Sequence, residues 1–339
     1  MKKVSDEYKK QIGRNINEKI YFWKNFLKTN KKPILILEIG SGGGETLKSI
    51  KDLCKHNENL FAVDIKEEFV NLSKNIIGEK AILANVCKLP FENNFFDAIN
   101  ASSLFHEVNS YGFANKKNYV IGLKALNLAL SEIKRVLKKD GLLYYRDVLA
   151  PKDRVFKYIK YSSVSTKFFI DLFLSKFVNQ ELSLYKGKYK LEVKGDDYLI
   201  YAENFLHREI QKHYLLCLEN LSNYLFVKEK INVNILKGQN NLFIAEKLFS
   251  KLVLLNNLEL RKQVLKWLHR EGVEKYLYLT CDELIEFCFK DRKGYVLVPV
   301  SSNTKHRFIR NEQNLFIKKL INNAEEEGKQ EIIFKKIKI

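Results

Sequence analysis

Short apolar runs alternate with amphipathic segments in the first half of the chain. The apolar runs are residues 33–39, 60–64, 80–86, 96–102 and 142–148. Their lengths are typical of buried strands. Before the last run, Leu126, Leu130 and Ile133 recur at the spacing of one helix face. Strands that alternate with helices predict an α/β fold, with a doubly wound parallel sheet covered by helices on both faces.

A glycine-rich turn follows the first apolar run. The turn carries Gly40, Gly42 and Gly44, and Glu38 precedes it. Glycine allows a sharp turn and a close approach to a ligand, because no Cβ stands in the way. Dinucleotide sites follow the pattern G-x-G-x-x-G, but Glu45 holds the last position of that pattern here. A carboxylate before the turn suits a cationic ligand better than a phosphate. The turn therefore predicts a nucleoside cofactor that is not a dinucleotide.

The spacing of these glycines resembles motif I of the class I S-adenosylmethionine (SAM)-dependent methyltransferases. Three later segments follow in order: N-V-x-x-L-P-F from Asn85, F-D-x-x-x-x-S-S from Phe96, and E-I-K-R-V-L-K-x-x-G-x-L from Glu132. Together they look like the SAM-binding half of the type 11 methyltransferase family, over residues 33–151. The resemblance implies a Rossmann-like sheet of seven strands, SAM as the cofactor, and methyl transfer as the reaction.

The same resemblance implies which residues bind the cofactor. They lie on the glycine turn, at the end of the second strand, beside the L-P-F segment and after the fourth strand. The predicted residues are Glu38, Gly40, Ser41, Gly42, Gly44, Asp64, Ile65, Asn85, Val86 and Ser102. Asp64 is placed to hold the ribose hydroxyls. Asn85 stands where the family usually has an acid, and its amide oxygen can accept a hydrogen bond from the adenine amino group.

Candidate acceptor-side groups follow the fourth strand. His106 stands beside Glu107 in the sequence. An unperturbed histidine titrates near neutral pH, so we predict that His106 is a catalytic base and that Glu107 is its neighbouring acid. The alternative is that His106 caps the following helix or bonds within the core. Asp147, at the end of the fifth strand, is a second candidate and equally a structural acid. A sulfonium methyl is already activated, so the reaction needs no metal and no covalent nucleophile, and we predict no metal site.

The remainder of the chain divides into three predicted parts. Residues 1–32 form a basic helical segment, whose apolar positions predict packing against the rim of the sheet. Residues 152–279 form a large, mainly helical insertion after the fifth strand, which serves as an acceptor lid or as a dimerisation element. Residues 280–339 supply a helix at 281–289 and two antiparallel strands that complete the sheet. Pro299 suits an edge strand, since proline cannot donate to a ladder.

The formal net charge of +19 lies mostly outside the predicted cofactor half. Residues 1–32 hold ten basic and three acidic residues, whereas residues 33–150 hold fifteen and fourteen. Such a distribution can steer a polyanionic acceptor such as RNA. However, most of the basic residues are lysine, a composition that an AT-rich genome also produces. We therefore expect a small or medium-sized acceptor, with RNA as the alternative.

Two other classes of function remain open. The chain can be a non-catalytic, methyltransferase-like binding subunit, or an NAD(P)-dependent oxidoreductase. Glu45 and the lack of a Tyr-x-x-x-Lys pair after the fourth strand disfavour the oxidoreductase. No apolar stretch approaches the roughly 18 residues of a membrane span, and no secretory signal is recognisable. We expect a cytoplasmic protein with reduced cysteines, whose oligomeric state the sequence leaves open.

Overall fold

The computed structural model describes most of the first half of the chain and parts of the second half. The described residues are 16–29, 32–54, 59–115, 118–120, 122–147, 149, 156–161, 164–180, 189–195, 197–203, 210, 214, 217, 249–251, 253–254, 256, 258–271, 279, 281–289, 295–304 and 330–338. The chain separates into two compact units. Each unit is described by itself.

Strands and helices alternate along the described residues. The strands are β1 (Ile36–Ile39), β2 (Leu60–Asp64), β3 (Ala81–Leu83), β4 (Phe96–Ser102), β5 (Phe113–Asn115), β6 (Asn118–Val120), β7 (Leu137–Asp147), β8 (Phe156–Tyr161), β9 (Tyr189–Lys194), β10 (Asp197–Glu203), β11 (Tyr295–Thr304) and β12 (Gln330–Lys338). The helices are α1 (Ile16–Lys19), α2 (Tyr21–Thr29), α3 (Glu45–Leu53), α4 (Glu67–Ile77), α5 (Phe105–Tyr111), α6 (Leu123–Val136), α7 (Val164–Gln180), α8 (Leu258–Glu271) and α9 (Cys281–Phe289).

The first unit is built on a seven-stranded sheet in the order β3-β2-β1-β4-β7-β12-β11. The strands from β3 to β7 run parallel, and β12 lies antiparallel between β7 and β11. The predicted seven-stranded, Rossmann-like sheet is confirmed. Pro299 lies on the edge strand β11, next to an irregularity in the pairing with β12. At an edge, the missing N–H of proline costs the sheet no ladder bond.

The central strand β1 is buried on both faces, so its side chains contribute to two separate cores. Leu37 and Ile39 face one core, where α6 and α9 contribute Leu126 and Leu284. Ile36 faces the other core. A strand covered on both faces reads as a nearly continuous apolar run, and in β1 the one polar residue is the buried Glu38.

The N-terminal segment packs on a face of the sheet and not at its rim as predicted. Trp23 of α2 is fully buried, and its Nε1 donates a hydrogen bond of 3.0 Å to Oδ1 of Asn100 in β4. Phe22 stacks on Tyr144 of β7, with ring centroids 5.2 Å apart. The described part of this segment begins at Ile16, so the helical pattern predicted before it lies outside the described residues.

Helix α6 passes directly into β7. The helix ends at Val136 and the strand begins at Leu137, ahead of Gly141. The register then shifts, since Phe96 pairs with Leu137 and Ala98 pairs with Leu142. The extra residues form a bulge in which Asp140, and not the glycine, has a positive φ of 65°.

The second unit contains a small antiparallel sheet in the order β8-β10-β9, which the sequence analysis missed. Helices α7 and α8 belong to the same unit. Most of residues 204–257 lie outside the described residues, so the mainly helical character of the insertion stays a prediction, as do the domain boundaries and the lid. Within the described ranges, no helix is long and apolar enough to cross a bilayer.

We expect Trp23→Ala to lower the free energy of unfolding by about 3–5 kcal/mol, the usual cost of truncating a buried tryptophan. The change also leaves Asn100 without the indole donor. Tyr21→Ala is the matched control, because Tyr21 lies two residues away and is 57% exposed. Urea unfolding followed by circular dichroism measures both. Equal stability of the two variants would contradict the packing of α2 on the sheet.

Candidate active site at the carboxyl ends of the strands

The glycine turn connects the carboxyl end of β1 to the start of α3. Gly40, Gly42 and Gly44 have positive φ angles of 73°, 52° and 86°. Residues with a Cβ rarely adopt this backbone conformation. A Cβ at Gly44 would also lie 2.7 Å from the Cδ1 atom of Ile76, which is closer than real contacts allow. The turn therefore requires glycine for steric reasons at its first and last positions.

Asp64 links the turn to the end of β2. Its Oδ2 accepts a hydrogen bond of 3.0 Å from the N–H of Gly42, and its Oδ1 accepts one of 2.9 Å from the N–H of Lys66. Burial raises the pKa of Asp64, while these backbone donors oppose the shift. The carboxylate is thus held at the carboxyl ends of two neighbouring strands. Ile65 follows directly and exposes 63% of its surface at the same edge.

Other predicted cofactor residues have side chains that are already engaged. The hydroxyl of Ser41 accepts a 2.8 Å hydrogen bond from Ser73 of α4. Val86 is buried in the core, and Oδ1 of Asn85 accepts the N–H of Cys87 at 2.8 Å. The carbonyl of Ser41 also accepts the N–H of Gly44 at 2.9 Å, whereas the Asn85 oxygen keeps a second lone pair. Their contacts with a cofactor stay predictions.

Glu38 supports the turn from inside the protein. It is 2% exposed, and its Oε2 accepts a short hydrogen bond from Nδ2 of Asn100, which is itself bonded to Trp23. Burial raises the pKa of Glu38 to about 8, although the bond from Asn100 and the charge of Lys19 oppose that shift. Glu38 is therefore mostly protonated at neutral pH. Its direct contact with a cationic ligand stays a prediction.

His106 contacts Asp147 at the end of β7. Nδ1 of His106 lies 2.8 Å from Oδ1 of Asp147, across 41 residues of sequence. Oδ2 of Asp147 accepts the backbone N–H groups of Phe105 and His106 at 2.8 and 3.1 Å. One fully buried carboxylate at the end of β7 thus caps α5 and orients the imidazole at the same time. The catalytic role of His106 and of its neighbour Glu107 stays a prediction.

Glu107 lies among the charges that surround the end of β2. Burial raises the pKa of Glu107, the charges of His106 and Lys66 oppose the shift, and those of Asp64 and Asp147 add to it. The structure therefore brings the predicted catalytic pair and the predicted ribose-binding acid to the same edge of the sheet. No group of three or more potential metal ligands occurs among the described residues.

The sequence analysis missed several residues of this region. Asn100 and Trp23 connect the N-terminal segment to Glu38, and Arg146 of β7 forms a buried ion pair of 3.3 Å with Glu331 of β12. A polar residue in a continuous apolar strand, such as Asn100 in FDAINAS, is the signal that could have identified the first of these. Buried polar groups need partners, and the partner of Asn100 had to come from another element.

Comparison with known proteins finds matches to part of the first unit. Residues 37–145 match a family model described as a methyltransferase domain. An uncharacterised protein of Methanocaldococcus jannaschii is 32% identical over 110 residues, which are 32% of this chain and 35% of that protein. The ubiquinone/menaquinone biosynthesis C-methyltransferase UbiE of Coxiella burnetii is 26% identical over 152 residues, which are 40% of this chain and 54% of that protein.

The chain thus spans between about a third and about half of the length of these curated relatives. Among solved structures, a SAM-dependent methyltransferase from Aquifex aeolicus is 20% identical, with a TM-score of 0.32. The aligned region covers 59% of this chain and 98% of the chain in that structure. The strand order of the sheet and the matched family model indicate the same class of protein. Residues 37–145 form a SAM-dependent methyltransferase domain of class I.

The residues of this chain fit SAM at the glycine turn. The Oγ atom of Ser102, at the carboxyl end of β4, is buried and has no hydrogen-bond partner among the described residues. A buried orphan hydroxyl is costly unless a ligand or water bonds to it. Asp64 lies at the end of β2, on the other side of β1 from Ser102, and its contact with ribose hydroxyls stays a prediction.

We expect Asp64→Ala to weaken SAM binding by about 1–3 kcal/mol, the scale of a charge-assisted hydrogen bond to a ribose hydroxyl. Calorimetric titration of SAM measures this loss. Glu79→Ala is the control, because Glu79 is an exposed acid that pairs with Lys74 at 2.7 Å. Unchanged affinity in the Asp64 variant would mean that the ribose lies elsewhere.

Stability should fall as pH rises, because of Glu38. The folded protein holds a proton at Glu38 up to about pH 8, whereas the unfolded chain releases it near the ordinary pKa of 4.5. Between these values the folded state binds more protons, so the contribution of Glu38 to the free energy of unfolding declines through that window. We expect Glu38→Gln to flatten this decline, and exposed Glu79→Gln to leave it unchanged. Urea unfolding at several pH values tests this, and identical pH dependence in all three proteins would refute it.

Proposed function

We propose that the chain is an enzyme that transfers the methyl group of SAM to an acceptor that loses a proton. The observation that carries this proposal is the glycine turn, whose backbone geometry and link to Asp64 lie within the segment that matches the methyltransferase family model. Bound SAM supplies an activated methyl group on a sulfonium. The protein has to align the acceptor atom with the carbon–sulfur bond and exclude water.

His106 is the residue that we assign to proton removal. Asp147 is fully buried and lies 2.8 Å from Nδ1, so it favours the tautomer that carries the proton on Nδ1. Nε2 is then the basic nitrogen of the ring. In the forward reaction the acceptor atom forms a bond to the methyl carbon, the carbon–sulfur bond breaks, and the acceptor proton passes to Nε2 of His106.

A small or medium-sized acceptor is the substrate class that we favour. The relative from Coxiella burnetii is by name a C-methyltransferase of ubiquinone/menaquinone biosynthesis, which supports a small-molecule acceptor for this chain. Carbon, nitrogen and oxygen acceptors that lose a proton all suit a histidine base. RNA remains the alternative outcome of the experiment, because the basic residues lie mostly outside residues 33–150.

The acceptor class can be determined with tritiated SAM and a total cell extract. After incubation with the full chain, portions are treated with nuclease or with protease and passed through a small-pore filter. We expect the tritium to be carried by a molecule that survives both treatments and passes through the filter. Label that nuclease releases would replace the small acceptor with RNA, and no label in any fraction would favour the non-catalytic binding subunit.

Asp147→Asn should slow methyl transfer by about 100-fold or more while leaving SAM affinity nearly unchanged, since general bases contribute about 10²–10⁴-fold. Asparagine still accepts the N–H groups that cap α5, but its amide cannot favour the same histidine tautomer. Asp97→Asn is the matched control, because Asp97 pairs with Lys138 at the opposite end of β4. A rate equal to that of the control would show that His106 and Asp147 are structural.

A further inference from the structure

The segment between β3 and β4 starts at the carboxyl edge of the sheet. The N–H of Ala84 donates a hydrogen bond of 3.0 Å to the carbonyl of Asp64, the last residue of β2. Asn85 follows and forms a tight turn, in which its backbone carbonyl accepts the N–H of Lys88 at 2.9 Å. Beyond this turn the chain, which is described throughout, enters the next strand only at Phe96. Backbone groups outside a ladder still need partners, so another element has to supply them.

Two charged side chains of α6 bind the backbone beyond the Asn85 turn. Oε2 of Glu132 accepts the N–H of Leu89 at 2.8 Å. Arg135 donates from Nη2 to the carbonyl of Leu89 at 2.9 Å, and from Nη1 to the carbonyl of Phe91 at 2.6 Å. Both polar groups of the Leu89 backbone therefore bind side chains of one helix, while the Leu89 side chain is buried in the core.

Glu132 and Arg135 form an ion pair that fixes the geometry of both side chains. Nε of Arg135 lies 2.8 Å from Oε1 of Glu132, and Nη2 lies 2.8 Å from Oε2. Such a two-pronged pair fixes direction as well as distance. Partial burial acts to raise the pKa of Glu132, but the hydrogen bonds from Arg135 and Leu89 outweigh it and lower that pKa. Leu130 and Ile133 of the same helix are buried in the core and hold α6 in place.

The Asn85 turn is anchored at both ends. The bond from Ala84 to Asp64 holds its start, and the bonds from α6 to Leu89 hold its end. A turn held in this way presents the Asn85 side-chain oxygen in one direction, and hydrogen bonds weaken steeply when their direction changes. We propose that Arg135 and Glu132 are positioning residues, which set the preference of the cofactor site for adenine by holding this turn in place. This inference rests on the proposed function and on the expected contact of Asn85 with the adenine amino group.

A comparison of two bases separates this role from a structural one. S-inosylhomocysteine differs from S-adenosylhomocysteine in its base, which carries a carbonyl where adenine carries an amino group. We expect Arg135→Gln to weaken S-adenosylhomocysteine by about 10-fold, the contribution of one hydrogen bond, because glutamine cannot reach both carbonyls. The weaker binding of S-inosylhomocysteine should stay within about twofold. Arg135→Lys keeps the charge but not the fork, so it should cause a smaller loss with the same selectivity, and it answers the question if the glutamine variant does not fold.

Calorimetric titration of the full chain measures all these affinities. Lys138→Gln is the matched control, since Lys138 also forms an ion pair, with both oxygens of Asp97 at 2.9 Å, but near the start of β4. It should change the binding of neither ligand. Equal losses for both ligands in the Arg135 variants would show that Arg135 only supports the fold, and unchanged binding of S-adenosylhomocysteine would also overturn the inference. Equal affinity of the wild-type chain for the two ligands would overturn it as well. Failure of the wild-type chain to bind either ligand would instead overturn the proposed function together with the inference.

Discussion

The sharp turn from β1 into α3 is the constraint on which the site depends. The chain leaves the central strand of the sheet and reverses into a helix within five residues, which requires positive φ angles at Gly40 and Gly44. Because β1 is the middle one of the five parallel strands, the turn emerges at the middle of their carboxyl edge. In open α/β sheets, ligands bind at this edge. The bond from Gly42 to Asp64 then holds the turn against β2.

A buried polar chain connects this turn to the N-terminal segment. Trp23 donates to Asn100, and Asn100 donates to Glu38, which stands two residues before the first glycine. Polar groups in a core contribute little net stability, but their loss is costly because the remaining partners stay unsatisfied. This arrangement fixes the orientation of α2 on the sheet more specifically than apolar packing would. It also joins α2 to Glu38, two residues before the glycine turn.

The sequence predicts the parts of this structure that local patterns determine. β2 and β4 have the predicted bounds, since each is a short apolar run between polar turns, and the late return through α9, β11 and β12 is also confirmed. The pairing of His106 with Asp147 joins residues 41 positions apart, so no local pattern indicates it. The strands β8, β9 and β10 mix lysines and tyrosines on a partly exposed sheet, which hides the alternation that marks a strand.

The central claim is that the glycine turn binds SAM and not a dinucleotide. Calorimetric titration of the full wild-type chain with SAM, and separately with NADH, tests it most directly. The account predicts saturable binding of SAM with one site per chain and no detectable heat from NADH. Binding of NADH, or the absence of any SAM binding at about millimolar concentration, far above the tightest binding expected of such a site, would contradict it.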